Sequence, residues 1–158
     1  MLLTHFDESD RARMSDVGEK AVTKRIAVAR GRIVMQPSTL SLLDGSGKKG
    51  NVLNTATVAG ILAAKRTSEV IPMCHPIATE HVALDFTTLP DGVEITATVS
   101  CSAKTGVEME ALYAVTVAGL TIYDMLKSAD KTMRLEAVRL LRKTGGKSGA
   151  VINEEETR

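Results

Sequence analysis

The stretch from Val82 to Val99 leaves the chain least freedom. Val82, Leu84 and Phe86 alternate with Ala83, Asp85 and Thr87, and Pro90-Asp91-Gly92 can reverse the chain. On the return Val93, Ile95, Ala97 and Val99 alternate with Glu94, Thr96, Thr98 and Ser100. Period-two alternation on both sides of such a turn specifies a hairpin with one apolar and one polar face. The apolar face needs a cover of fine contour. Aromatic residues are only 3% of the chain and Trp is absent, so Ala, Val, Leu, Ile and Met must fill the core, which suits close helix-on-sheet packing.

The flanking segments supply that cover. Lys24 to Met35 alternates Ile26, Val28 and, after Gly31, Ile33 against Arg25, Ala27 and Ala29, and reads as a strand. Pro37 to Leu43 suits a short helical turn, closed by Asp44-Gly45-Ser46-Gly47. Asn51 can cap a helix running to about Arg66, with Val52, Ala56, Ala59 and Ala63 at three- and four-residue steps. Pro72 and Pro76 bracket an irregular loop. Thr105-Gly106-Val107-Glu108 has the capping-box pattern and opens a long helix to about Lys127. Ala111 to Ile122 is apolar on nearly every side, which predicts burial by more than one layer and hints at subunit packing. Thr132 to Arg142 fits helix or strand, and the need to complete the sheet favours a strand. The expectation is an α+β fold, a ferredoxin-like βαββαβ sandwich with an antiparallel sheet and the helices packed on one face. Residues 1–23 form a flexible N-terminal arm, 24–144 a single domain, and 145–158 a mobile glycine-rich tail.

Charge and composition remove some functions. With 20 Lys and Arg against 19 Asp and Glu the chain lacks the basic excess of a nucleic-acid binder, and base-stacking aromatics are few. Met1 to Lys20 has no apolar signal-like core, and no later run is expected to span a membrane. Cys74 and Cys101 make no disulfide framework, so reduced thiols and a cytoplasmic setting are expected.

Three segments could carry chemistry. Lys48-Lys49-Gly50-Asn51 brings lysines to a helix N-terminus, which suits an anion, although a solvated turn reads as well. Ile71-Pro72-Met73-Cys74-His75-Pro76 holds a His in a stiff loop, a candidate acid/base. A protein-bound metal is not expected: Cys74 and His75 are adjacent and poorly disposed to chelate one tetrahedral ion, and no second cysteine pair follows. His81 reads as an exposed strand residue. On the long helix, Glu108 completes the cap, while Glu110 and Asp124 share a stripe within about 40° but roughly 21 Å apart, too far to touch one reacting atom. Both could act only at distant ends of a long ligand or in sites built with a neighbouring subunit. The apolar context of Asp124 favours partial burial; Lys127, three residues on, would pair with it. Gly145-Gly146-Lys147-Ser148 lacks the spacing of a phosphate-binding loop, since Leu141 stands where the first Gly belongs.

Taken together, Lys49-Gly50, Ala63 to Thr67, Ile71 to Pro76, Lys104 to Leu112, Leu120 to Met125 and Gly145 to Gly149 closely resemble the cyclic pyranopterin monophosphate synthase family, in order and in register. The resemblance covers about Met14 to Gly149. It implies a ferredoxin-like protomer, a homohexamer built as a trimer of dimers, and active sites between protomers. It also implies conversion of 3′,8-cyclo-7,8-dihydroguanosine 5′-triphosphate to cyclic pyranopterin monophosphate with release of pyrophosphate, a lyase reaction of molybdenum-cofactor biosynthesis. By the matching motifs Asp124 resembles the family's acid/base, Lys49 and Lys127 its lysines, and Met73-Cys74-His75 and Met109-Glu110 its substrate-contacting segments. Arg25 looks like a further site arginine. His75 is a suitable proton-transfer type, and Lys65, Arg66, Lys131 and Lys147 could add to a local basic cluster for the triphosphate. No cofactor is implied, although Mg²⁺ is a natural companion of that triphosphate. The family's Asp after Lys-Gly is replaced by Asn51, which removes any carboxylate role there. Two rival readings are a non-catalytic purine-nucleotide-binding regulatory module, since fold does not fix function, and a purely structural oligomer.

Overall fold

The computed structural model describes residues 5–43, 51–147 and 149–153. In chain order the elements are β1 (Thr23–Val34), α1 (Pro37–Leu40), α2 (Val52–Lys65), α3 (Thr67–Val70), β2 (His81–Leu89), β3 (Gly92–Ala103), α4 (Glu108–Leu126), β4 (Arg134–Thr144) and β5 (Val151–Ile152). The strands lie side by side as β2-β3-β1-β4-β5, every pair antiparallel. β1 and β2 therefore run the same way with β3 inserted between them, the split arrangement of a ferredoxin-like α+β sandwich. The element left ambiguous by its periodicity is strand β4, paired to β1 from Ile26↔Thr144 to Val34↔Arg134. β5 lies in the glycine-rich tail, where no periodic element was expected.

Local chemistry explains most boundaries. The Asn51 side chain accepts the N–H of Asn54 at 2.9 Å, starting α2 where the sequence placed it. Pro90-Asp91 turns β2 into β3, with His81↔Ser100 and Leu89↔Gly92 at the two ends of the register. On β3, Val93, Ile95, Ala97, Val99 and Cys101 are all fully buried, while Glu94, Thr96, Thr98 and Ser100 are only partly covered. The helices pack on the first face. α4 lies across β1, β3 and β4, and α2 packs beside α4 and on β2.

One reading from sequence needs correction. The capping box does not form: α4 starts at Glu108 itself, with Val107 as N-cap and no side-chain cap bond. Glu108 instead pairs with Lys143 of β4 at 2.6 Å, a contact across 35 residues that local pattern could not foresee. In addition, α4 is long and apolar enough, by length and composition, to cross a membrane. Ala111, Ala114, Val115, Ala118 and Ile122 are instead fully buried within this chain, as in the core helix of a globular protein.

Small residues set the spacing. A Cβ on Gly31 of β1 would sit 2.9 Å from Val115 of α4 and from Val138, next to the β4 bulge at Ala137, whose φ is +53°. A Cβ on Gly60 of α2 would press into Leu84 and lie 3.1 Å from the carbonyl oxygen of Ala114 in α4. Backbone cannot yield there as a side chain can. Gly60→Val is expected to destabilise the protein by about 1–3 kcal/mol through overpacking. The check is a lowered urea midpoint at fixed protein concentration.

Candidate functional site

The register fixes two ends of the molecule. The start of β1 and the ends of β3 and β4 share one end, here the lower, because Thr23 pairs with Ala103 and Ile26 with Thr144. β2 and α4 both begin there. β1 ends, α2 begins and α4 finishes at the upper end.

At the lower end lies a cavity of about 730 Å³. Met73, Cys74, His75 and Ile77 from the loop before β2 form one wall, and Thr105, Gly106, Glu108, Met109 and Glu110 form another. The third wall comes from the N-terminal arm: His5, Phe6, Arg13, Met14, Ser15, Asp16, Val17 and Lys20. The Lys104 ammonium donates to the Gly18 carbonyl at 2.6 Å and ties this arm to the β3–α4 link. That role is not legible from local pattern, because the arm has no periodicity and its anchor lies 86 residues away.

Electrostatically the cavity is unusual in its acids. Glu110 is 3% exposed, and burial, with the Glu108 carboxylate adding to it, pushes its pKa up. Cys74 is held above its ordinary value by burial first, then by Glu110 and Glu108, so its thiol is poorly nucleophilic. Arg25 reaches the edge of this end. Its Nη2 donates to Lys104 O at 3.3 Å, beside Thr105, and its Nη1 to Gly145 O at 3.4 Å. Its Nε is buried with no hydrogen-bond partner among the described residues. The Gly145-Gly146 pair allows this close seat: both have φ near +80° to +95°, and a Cβ on Gly146 would strike the guanidinium. Lys147 follows, exposed, and Lys65 and Arg66 are exposed where α2 finishes.

The upper end carries a second group. Asp124 and Lys127 form an ion pair at 2.7 Å, with side chains 71% and 57% exposed. The partial burial expected for Asp124 is thus corrected. Ile122 occupies the buried stripe, and two residues at about 100° each turn Asp124 away from it. The hydrogen bond from Lys127 to Asp124 raises the lysine's pKa. Exposed Lys131 lies four residues beyond Lys127, its carbonyl accepting from the Tyr123 hydroxyl at 3.3 Å. Lys49 lies outside the described residues, as do Lys48, Gly50 and Ser148. A single copy of the chain therefore brings together Met73, Cys74, His75, Met109 and Glu110, with Arg25 at their margin, and places Asp124, Lys127 and Lys131 at the far end of α4. Among the described residues no three His, Cys, Asp or Glu side chains converge as a metal site would need. His81 is exposed at the start of β2.

Comparison with known proteins bears on both groups. The MoaC family model matches residues 14–146. A cyclic pyranopterin monophosphate synthase of Chloroflexus aggregans is 57% identical over 156 residues, spanning 97% of this chain and 94% of its own. One from Chloroflexus aurantiacus is 59% identical over 150 residues, spanning 93% and 92%. One from Desulfitobacterium hafniense is 57% identical over 157 residues, spanning 98% and 96%.

The buried carboxyl makes a signed pH prediction. A Glu whose pKa is raised on folding costs stability as pH rises above 4.5, its ordinary value, through the raised one. Glu110→Gln is expected to melt higher than the parent protein at pH 8, and the advantage should shrink as pH falls towards 4.5. Thermal melts across that range check it; an equal or lower melting temperature at pH 8 would contradict it.

Proposed function

From its membership of the MoaC family, to which this chain belongs by the match over residues 14–146, we infer that it is a cyclic pyranopterin monophosphate synthase of molybdenum-cofactor biosynthesis. The reaction converts 3′,8-cyclo-7,8-dihydroguanosine 5′-triphosphate to cyclic pyranopterin monophosphate and pyrophosphate. The observation that carries this reading is the lower cavity, where two segments distant in sequence, Met73-Cys74-His75 and Met109-Glu110, meet around one buried carboxyl. The relatives' shared name, over nearly their full lengths, favours an enzyme over a non-catalytic nucleotide-binding module.

Chemically, opening the purine ring and rebuilding a pterin requires several proton transfers, for which His75, Asp124 and the lysines are suitable types. Closing the cyclic phosphate requires a hydroxyl oxygen to bond to the α-phosphorus as its bond to the pyrophosphate oxygen breaks. The hydroxyl proton passes to a base, and cations offset the leaving group's charge. Lys49, Lys127, Lys131, Arg25, Lys65, Arg66 and Lys147 are the proposed cations, and Mg²⁺ bound to the triphosphate belongs with the substrate.

Asp124 and Glu110 stand fourteen residues apart on α4, roughly 21 Å along its axis, so one protomer does not close around the reacting atoms. We therefore place the working site between copies, with the Asp124–Lys127 end of one protomer completing the cavity of another within a hexamer. The outer faces of α2 and α4 expose Val58, Leu62 and Leu120, apolar surface that suits such packing. Two free thiols accord with a cytoplasmic setting.

Purified protein incubated with the cyclised triphosphate should release pyrophosphate and yield the pterin, read by fluorescence after oxidation. Asp124→Asn and Lys127→Ala are each expected to lower turnover by roughly a hundredfold or more, with the assembly unchanged by size-exclusion chromatography. Binding without either product would overturn the reading in favour of the regulatory module.

A further inference from the structure

Asp130 lies in the turn between α4 and β4, 4% exposed. One oxygen accepts the Thr132 N–H at 2.8 Å and the Thr132 hydroxyl at 2.7 Å. The other accepts the Gln36 N–H at 3.0 Å and the Thr39 hydroxyl at 3.3 Å. A carboxylate has about four lone-pair sites, and here four neutral donors occupy them. Those donors come from two places. Thr132 belongs to Asp130's own turn, which carries Lys127 on one side and Lys131 on the other. Gln36 is the N-cap of α1 and Thr39 lies within that helix.

We propose that Asp130 is a positioning residue for the reaction, holding the Lys127–Lys131 turn against Gln36 and α1 in one arrangement. The proposal rests on the reading of these lysines as substrate-handling groups. Its physical basis is that only an ionised acid fits this shell. An amide at the same place offers one acceptor oxygen and turns an NH₂ towards groups that are themselves donors, so at least one donor is orphaned in a buried site. The cations carried on this turn move with it, and an ångström of misplacement is enough to cost rate.

The test is kcat and KM of Asp130→Asn, expressed per folded protomer, with Lys127→Ala alongside. Expected is a fall in kcat of tenfold or more, with KM within about twofold. The ratio to the parent protein should stay flat between about 10 and 25 °C, where a merely destabilised protein would regain activity on cooling. An unchanged kcat, a loss confined to KM, or recovery on cooling would overturn the proposal. If Asp130→Asn does not fold, Thr39→Val and Thr132→Val decide it. Each removes one hydroxyl donor; a threefold or greater loss of kcat in either supports the role, and parental kcat in both overturns it. Should Lys127→Ala retain full turnover, the site reading itself fails and takes this proposal with it. A dead Lys127→Ala beside a fully active Asp130→Asn removes the Asp130 role alone.

Discussion

Alanine and glycine line both sides of the contact between α4 and β1: Ala111, Ala114 and Ala118 on the helix, Ala27, Ala29 and Gly31 on the strand, all buried. Dispersion falls off steeply with distance, so a core with almost no aromatic volume is cohesive only if its layers come close. That closeness fixes the rest. It lets α2 lie against α4 at Gly60, and it directs both ends of the nineteen-residue helix α4 to opposite ends of the sheet. The lower end delivers Met109 and Glu110 to the cavity and the upper end presents Asp124 and Lys127.

The lower end carries a buried acid at a cost to stability. An acid at 3% exposure beside a second carboxylate is an expensive neighbour for a fold to carry. Two cations lie at the same end. Lys143 engages Glu108, itself about three-quarters covered, and Arg25 brings a guanidinium to the same end under the two glycines of the tail. Perturbed acids in a cleft are the kind of group a proton-transfer site uses.

What could be read from sequence was what depends on near neighbours. The hairpin, the Asn51 cap and the position of α2 follow from residues within a few places of one another. Strand β4 was legible only by topology, because four strands in this order need it. The failures share one cause. Thr105 to Glu108 satisfies a capping pattern, but a lysine 35 residues on captures the glutamate. Asp124 has apolar neighbours in sequence yet points outward, since burial on a helix follows angle rather than composition. The N-terminal arm and Asp130 gave no signal, because their partners are 86, 94 and 91 residues distant. Of the candidate site, the residue types were legible from motifs and the separation of Glu110 from Asp124 from helix length, whereas the meeting of Met73, Cys74 and His75 with Glu110 became visible only in three dimensions.

That division has a kinetic corollary. When one copy supplies the pocket and another the ionic pair, the competent unit is a contact, and contacts obey mass action. Specific activity then depends on how much of the protein is assembled, falling on dilution faster than the amount of protein does. Two defective partners, one damaged at each pole of α4, can together rebuild a fraction of intact junctions that neither makes alone. Under the proposed sharing of the site, the length of a single helix makes turnover depend on assembly.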